Sequence, residues 1–384
     1  MASSAAMIGT RTTFFVTCAS GIEPLLHAEC KELELPKLER QVGGVRFEGT
    51  IQDAWRANLW LRTAIRVLLR LVRFEAANGD ELYLRAGEVD WTQWVPPGAT
   101  FVVDAQTNQS ALDHSQFIAQ RVKDAIVDQL RAKTGTRPSV DKEAPDVVVH
   151  VHLFKDRCTL SIDTSGESLH KRGWRRFQGR APLAETTAAA VLQLSGWDRR
   201  SPLVDPFCGS GTLLVEAAML AGRVAPGLSR TTFGFERFID HDVAGWRKMR
   251  DAARALAAVP KKLQLVGVER DEKTVEGALT NLESAGLADK VELRLGRAED
   301  YDYRRGWNAW IVTNPPYGER IGDAREIERT LRAWGARLAE RCQGWTVAML
   351  ADDAKLFDFA RLPKGETHAL KNGGLDCLLR VAKL

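Results

Sequence analysis

The fold is decided by residues 204–212, which read VDPFCGSGT: an apolar strand runs directly into a Gly-x-Gly turn, and a helix follows. Gly209 and Gly211 let the backbone approach a ligand closely, and the helix start presents unpaired N–H groups. The loop has neither the G-x-G-x-x-G spacing of dinucleotide folds nor the lysine of a P-loop, so it is poorly suited to phosphate. The stretch therefore predicts an α/β domain that binds a nucleoside-type cofactor.

Helix and strand patterns alternate on both sides of this turn. The predicted helices are 183–194, 212–221, 272–285 and 325–340, and the predicted strands are 202–205, 263–269, 291–295, 309–313 and 346–350. Such alternation predicts a doubly wound, mostly parallel sheet. Two closing runs, 366–370 and 375–381, are joined by Asn372-Gly373-Gly374, which predicts an antiparallel hairpin at the end of the sheet.

The first half of the chain has a less regular α+β pattern. The predicted strands there are 12–17, a short strand after a turn within 43–49, 66–74, 101–105, 147–154 and 158–163, and the predicted helices are 24–33, 55–62 and 115–133. This pattern predicts two small α+β modules. The stretch 166–180 has glycines, aromatic residues and cations without a period, so we place the domain linkage there.

Composition limits the class of protein. The chain has 384 residues, which predicts two or three domains, and a net charge of only +4, so a nucleic-acid surface must come from local clusters. The cysteines are scattered without a C-x-x-C pair, which argues against a zinc or iron–sulfur site and predicts no metal. The start of the chain lacks a basic, then apolar signal sequence, and no apolar run reaches about 18 residues, so we expect a soluble cytoplasmic protein.

Acidic residues at successive strand ends are the candidate cofactor ligands. Asp205 can bind the amine end of an amino-acid-bearing cofactor, and Glu269 can accept hydrogen bonds from ribose hydroxyls. Either Glu299 or Asp300 is predicted to contact adenine. The predicted cofactor contacts are Asp205, Pro206, Phe207, Cys208, Gly209, Ser210, Gly211, Thr212, Glu269, Arg270, Ala298, Glu299 and Asn314.

The candidate catalytic residues are Asn314, Pro315, Pro316 and Tyr317, which directly follow the apolar strand 309–313. Consecutive prolines remove backbone donors and leave carbonyl oxygens facing the site. An aromatic amino group is a poor nucleophile because its lone pair is delocalised into the ring. If the Asn314 side-chain oxygen and the Pro315 carbonyl accept its hydrogens, the nitrogen is drawn toward tetrahedral geometry, while Tyr317 stacks on the base.

A basic stretch precedes the α/β domain and predicts RNA contacts. Five cations lie within ten residues, at positions 171, 172, 175, 176 and 180, with aromatic residues interleaved and no acid between them. Cations for phosphate and aromatic rings for stacking suit looped or single-stranded RNA. The predicted RNA contacts are Lys171, Arg172, Trp174, Arg175 and Arg176.

These motifs, in this order, resemble those of amino-methyltransferases with an N/D-P-P-Y/F loop. Over nearly the whole chain the sequence resembles bacterial THUMP-domain RNA guanine-N2 methyltransferases, and among them the enzymes of 23S rRNA. The resemblance is carried by SGESLHKRGWR at 165–175, by APL at 181–183 with Glu185, and by NPPYGER at 314–320. It implies S-adenosylmethionine as cofactor and the guanine N2 amine as target.

The resemblance also implies a domain plan: a ferredoxin-like module at 10–65, a THUMP RNA-binding domain at 66–165 and a class I (Rossmann-like) methyltransferase domain at 166–384. Some members fuse a second methyltransferase domain, which we expect this chain to lack. Arg297 stands where the family usually has an acid. The alternatives are a tRNA guanine-N2 enzyme, a DNA amino-methyltransferase and, in another class, a non-catalytic RNA-binding factor of ribosome assembly.

Overall fold

The computed structural model describes residues 9–179, 182–316 and 324–384. Within them the chain divides into two compact units. The first comprises Met1–Cys18, His27–Leu169 and Thr231–Met249, and the second comprises Ala19–Leu26, His170–Arg230 and Arg250–Leu384. Each described helix is too short or too polar to cross a membrane.

The α-helices and β-strands have the following bounds. The helices are α1 (Glu23–Glu32), α2 (Ile51–Trp60), α3 (Gly79–Gly87), α4 (Ser115–Thr134), α5 (Glu185–Leu194), α6 (Thr212–Ala221), α7 (Val243–Leu256), α8 (Glu272–Ser284), α9 (Ala324–Arg341) and α10 (Lys355–Phe359). The strands are β1 (Thr12–Thr17), β2 (Glu39–Gln41), β3 (Gly44–Gly49), β4 (Arg66–Glu75), β5 (Thr100–Asn108), β6 (Ser139–Val140), β7 (Val147–Phe154), β8 (Arg157–Asp163), β9 (Leu203–Asp205), β10 (Leu265–Glu269), β11 (Val291–Leu295), β12 (Trp310–Thr313), β13 (Thr346–Ala351), β14 (Glu366–Asn372) and β15 (Leu375–Lys383).

The first unit is built on one eight-stranded sheet in the order β2-β3-β1-β4-β8-β7-β5-β6. Only β5 pairs in parallel, with β6 and β7, and the remaining described pairs of this sheet are antiparallel. The two predicted α+β modules therefore share a sheet, and with the predicted boundary after residue 65 they are joined where β1 pairs with β4. Leu82 of α3 and Ile118 of α4 pack with Val149 and Val151 of β7 in one apolar core.

A segment from the second half of the chain belongs to this first unit. Residues 231–249 place Phe235 and Trp246 against Trp55 of α2, with ring centroids 5.7 and 6.2 Å from the Trp55 ring. Trp55 and Phe235 are buried. Aromatic packing of this kind anchors the segment to the unit.

The second unit has a seven-stranded sheet in the order β11-β10-β9-β12-β13-β15-β14. Strands β9 to β13 pair in parallel, and β15 pairs antiparallel with both β13 and β14, so the predicted closing hairpin is confirmed. The strand order reverses between β9 and β12. In open α/β sheets ligands bind at such a switch point, outside the carboxyl ends of the strands.

Several predicted boundaries needed correction. Helix α2 begins at Ile51 and not at Trp55, because Thr50 forms a capping box with Asp53: the Thr50 hydroxyl accepts from Asp53 N, and the Asp53 carboxylate accepts from Thr50 N. Helices α3, α7 and α10 and strands β2 and β6 were not predicted.

Candidate active site

The switch point between β9 and β12 brings together the ends of two motifs. The Thr313 hydroxyl, at the end of β12, donates to Asp205 Oδ1, at the end of β9, over 2.7 Å. Asp205 also accepts from the Phe207 amide at 3.2 Å. Burial raises the pKa of Asp205 to about 7, although these two hydrogen bonds oppose the shift. The Gly-x-Gly loop after β9 and the predicted catalytic loop after β12 thus both begin next to the hydrogen-bonded pair of Asp205 and Thr313.

The loop after β9 is held by backbone contacts on the side of β10. The Cys208 amide donates to the Val268 carbonyl at 3.0 Å, and Gly209 and Gly211 have φ angles of +51° and +80°. Only glycine adopts such angles freely. Gly211 is also the N-cap of α6, and it has no side chain to satisfy the first-turn N–H groups, which leaves them available to a ligand.

Among the other predicted loop residues, Pro206, Cys208, Ser210 and Thr212 are buried and Phe207 is half-buried. The Phe207 ring meets Trp334 of α9 edge-to-face, with centroids 5.3 Å apart. Burial raises the pKa of the Cys208 thiol well above its usual value, so this sulfur is an uncharged packing atom and not a nucleophile.

Glu269 ends β10 beside this loop, as predicted. Its Oε2 accepts from the Gly209 amide at 3.1 Å, and its Oε1 accepts from the amides of Arg270 and Asp271 at 2.8 and 3.0 Å. The side chain is therefore fixed at the strand end while remaining half-buried. A carboxylate oxygen has two acceptor positions, so Glu269 keeps capacity for ribose hydroxyls.

An open cleft of about 380 Å³ lies next to Glu269, at the ends of β10 and β11. It is lined by Arg270, Asp271, Leu295, Gly296 and Arg297. Leu295 is 57% exposed in the cleft and offers an apolar surface to a flat ring.

Two candidates had remained open for the adenine contact beside this cleft. Asp300 is exposed, whereas Glu299 is largely buried, with 16% of its side chain accessible. Glu299 Oε2 is buried and has no hydrogen-bond partner among the described residues, while Oε1 lies 3.7 Å from Arg297 Nη1. A buried acceptor without a donor fits the exocyclic amine of adenine. The geometry favours Glu299.

The predicted catalytic motif begins with Asn314, whose side-chain oxygen lies in an environment like that of Glu299 Oε2. Asn314 Oδ1 is buried and lacks a hydrogen-bond partner within the described ranges. Pro315 is buried and Pro316 half-buried, directly after β12. Tyr317, with Gly318, Glu319 and Arg320, lies outside the described residues. A buried amide oxygen without a donor is energetically unfavourable by itself, and an amine substrate would satisfy it.

The basic stretch 171–176 does not have the environment that was predicted. Arg172 and Trp174 are buried, and Arg172 Nε lies 3.2 Å from Oε1 of the buried Glu216 on α6. Neither side chain is accessible, and this burial does not fit the predicted RNA contacts. Lys171 and Arg176 are exposed.

Arg175 is also turned inward, away from the environment that an RNA contact requires. Its guanidinium donates to Glu185, Ser210, Thr212 and the Leu183 carbonyl, and its side chain is 17% exposed. These acceptors use four of the five guanidinium N–H groups, which does not fit the predicted phosphate contact of Arg175. Arg180 lies outside the described residues.

Three polar residues that were not predicted join these pieces. Besides Thr313, Asn281 of α8 is fully buried and bonds to the Ser210 carbonyl at 3.0 Å. The Tyr303 hydroxyl donates to the Ala298 carbonyl at 3.0 Å and accepts from Trp334 Nε1 at 2.9 Å, which holds the turn before Glu299. A polar residue at a position that the apolar pattern assigns to the core, such as Asn281, is the signal that could have revealed them.

Comparison with protein families assigns most of the chain. Residues 172–381 match the RMKL-like methyltransferase domain, residues 76–163 match the THUMP domain, and residues 13–68 match the RlmL ferredoxin-like domain. The α/β methyltransferase fold with N-terminal ferredoxin-like and THUMP domains is thereby confirmed.

Two curated relatives agree with this family assignment. The chain is 41% identical to ribosomal RNA large subunit methyltransferase K/L of Pseudomonas paraeruginosa over 96% of its own length and 52% of the relative's, and 41% identical to that of Methylococcus capsulatus over 95% and 50%. The chain thus spans about half the length of these relatives.

Two similar structures cover nearly the whole chain. SMU.472, a putative methyltransferase complexed with SAH, is 31% identical, with a TM-score of 0.88 over 100% of this chain and 99% of that one. A predicted N6-adenine-specific DNA methylase from Listeria monocytogenes is 31% identical, with a TM-score of 0.86 over 97% and 96%.

Proposed function

Because the chain belongs to the family of RMKL-like methyltransferase domains, we propose that it transfers a methyl group from S-adenosylmethionine to the exocyclic N2 amine of a guanine in RNA, and that the RNA is 23S rRNA. The observation that carries the proposal is the buried Asn314 Oδ1 at the switch point beside the Gly-x-Gly loop, where none of the described residues donates a hydrogen bond to it. An acceptor at this place suits a substrate group that donates hydrogen bonds, such as an exocyclic amine, and does not suit a carboxylate.

The residues around the loop fit the proposed cofactor. Asp205 would hold the amine of its amino-acid end, Glu269 its ribose, and Glu299 its adenine amine beside Leu295 and Gly296. When bound, the cofactor supplies an electrophilic methyl group. SMU.472, the similar structure described above, is complexed with SAH, which is S-adenosylmethionine without its methyl group. This supports S-adenosylmethionine as the cofactor of the chain.

The chain's own chemistry is recognition of the substrate amine. Asn314 Oδ1 and the Pro315 carbonyl accept its two hydrogens, which localises the lone pair on nitrogen and frees it to attack. A strong general base is unnecessary, because the proton is lost only after the nitrogen has become positively charged. Tyr317 would stack on the base and hold its plane.

RNA as substrate is supported by the match to a THUMP domain and by the names of the long relatives, which act on large-subunit rRNA. Lys171 and Arg176 are the exposed members of the basic stretch and remain the proposed phosphate contacts there. A DNA adenine amine would suit the same two acceptors, and the name of the Listeria structure makes this the competing outcome.

Mass-spectrometric mapping of modified nucleosides tests the proposal. rRNA and tRNA from cells lacking the protein are compared with those from cells in which it is restored. We expect one N2-methylguanosine in 23S rRNA to be missing and then recovered. Loss of the modification from tRNA instead would identify the tRNA alternative, and an unchanged set of N2-methylguanosines in both RNAs would contradict the proposal.

A further inference from the structure

Arg175, the half-buried arginine of the basic stretch, directs its guanidinium to Ser210, Thr212 and Glu185. We propose that Arg175 is a positioning residue for the cofactor: with Glu185 and Asn281 it holds the Gly-x-Gly loop in its binding conformation before the cofactor arrives. The inference rests on the proposed function, because it assumes that this loop binds S-adenosylmethionine.

Arg175 connects the loop to the start of α5 through four hydrogen bonds. Nη1 donates to Ser210 Oγ at 3.1 Å, and Nη2 donates to Thr212 Oγ1 at 2.9 Å. On the other side Nε donates to Glu185 Oε1 at 2.7 Å, and Nη2 also donates to the Leu183 carbonyl at 3.1 Å. The planar guanidinium can do this because its donors are fixed in a fork.

The position of Glu185 explains how a cation can lie at this point. The N-terminus of α6 carries a partial positive charge, so an unpaired Arg175 beside Thr212 would be repelled. Glu185 is buried, with 4% of its side chain accessible, and its ion pair with Arg175 neutralises that charge. The guanidinium of Arg175 therefore faces Ser210 and Thr212 with its Nη atoms, while its Nε atom bonds to Glu185 at the start of α5.

Asn281 holds the same loop from the side of α8. Its Oδ1 accepts from the amides of Arg176 and Phe177 at 2.7 and 2.8 Å, and its Nδ2 donates to the carbonyls of Phe177 and Ser210, both at 3.0 Å. The chain next to Arg175 is thus fixed to α8, and both the hydroxyl and the carbonyl of Ser210 are held.

The Phe177 ring closes this contact against Gly277 of α8, where an added Cβ would come within 2.2 Å of the ring. The loop itself has little rigidity of its own, because two of its residues are glycines with positive φ. Without external bonds the cofactor would have to order the loop on binding, and affinity would fall by that cost. Arg175 and Asn281 remove the cost in advance.

The test uses the full chain with the change Arg175→Lys, which keeps the ion pair with Glu185 but cannot reach four acceptors at once. We measure the affinity for S-adenosylhomocysteine by calorimetry, the KM for S-adenosylmethionine, kcat, and the affinity for a 23S rRNA transcript. We expect about tenfold weaker cofactor binding and a similarly raised KM, with kcat at saturation within about twofold, because excess cofactor restores the ordered loop. Arg200→Gln, which removes an exposed arginine of the same unit, should leave cofactor affinity unchanged.

Three results would overturn the inference. R175K with wild-type cofactor affinity and a lowered unfolding midpoint would show a role in folding alone. A lowered kcat at unchanged KM would place Arg175 in the chemical step. In R175Q, weaker RNA binding with a shallower salt dependence and unchanged cofactor affinity would restore the RNA contact. Failure of the wild-type chain to bind S-adenosylhomocysteine would instead overturn the proposed function itself.

Discussion

Asn314 carries the chemical argument at the scale of single residues. Its side-chain oxygen is buried at the end of β12 and has no hydrogen-bond partner within the described ranges. A buried acceptor without a donor costs free energy in the absence of a ligand, and the place of this one at the switch point connects it with substrate binding. The sequence motif had predicted this acceptor, and the structure adds that no described neighbour competes for it.

Replacement of Asn314 by alanine tests this role. We expect kcat to fall by about 10²–10³-fold, the loss typical when one preorganised polar group is removed from an active site. Affinity for S-adenosylhomocysteine should change by less than about threefold, since the loop after β9 is untouched. Asn314→Asp keeps an acceptor oxygen and should retain measurable turnover. Wild-type turnover in N314A would remove Asn314 from the mechanism.

Asp205 gives the site a pH dependence. Burial raises its pKa to about 7 in the free protein, whereas binding the cofactor's amine requires the ionised carboxylate. Affinity for S-adenosylhomocysteine should therefore rise with pH, approaching tenfold per unit below pH 7 and levelling off above it. Calorimetry between pH 5.5 and 8.5 measures this, and Asp205→Asn should flatten the profile. A flat wild-type profile would mean that Asp205 does not bind the amine.

At the scale of elements, the stretch 171–177 shows what the sequence left hidden. Cations alternating with aromatic residues and no intervening acid predicted an RNA surface. The acids exist, but they lie outside the stretch: Glu185 is 10 residues after Arg175, and Glu216 is 44 residues after Arg172. The local sequence shows which charged residues are present, but which of them form ion pairs depends on the fold.

The helices and strands also differ in how well the local sequence predicts them. The strands and helices around the Gly-x-Gly turn were predictable because each repeats apolar residues at a clear period. Helix α7 was missed although it has a helical period, since Trp246, Met249, Ala253 and Leu256 follow one another at spacings of three or four residues. Helix α3 begins with an Asn78 side chain that accepts from two amides, a cap that could have been recognised.

Strand β7 of the first unit provides a test of stability. His150 lies 3.3 Å from Asp104 of β5 and 3.6 Å from Asp163 of β8, which also pairs with Arg66 of β4. Burial alone would lower the pKa of His150, but the two carboxylates outweigh it and raise the value to about 9. The unfolded value is near 6.5, so the stabilisation is complete below that pH and is lost as pH rises through 9.

Urea unfolding of the full chain at pH 6 and pH 9 measures this effect. We expect the wild type to lose about 2–4 kcal/mol of stability over that range, and His150→Gln to lose much less. His152→Gln is the matched control on the same strand, because burial and Arg73 lower the pKa of His152 and its effect falls on the acid side. Equal pH slopes for the wild type and H150Q would contradict the assignment.

At the scale of the whole molecule, the sequence predicted two N-terminal modules and a methyltransferase domain, and the family matches confirm that composition. It did not predict that both modules share one sheet. The pairing of β1 with β4 crosses the predicted boundary and joins residues about fifty positions apart, from Phe14 with Leu69 to Thr17 with Arg66. Strand periodicity carries no information about which edges pair over such distances.

The central claim is tested most directly with the purified chain, S-adenosylmethionine labelled in its methyl group, and a transcript of 23S rRNA. The RNA is digested to nucleosides and the label is located by mass spectrometry, with N314A and a DNA duplex as controls. We expect label in N2-methylguanosine with the wild type, about 10²–10³-fold slower labelling with N314A, and no label in DNA. Label in N6-methyladenosine, or no label in the transcript while the DNA is methylated, would contradict this claim.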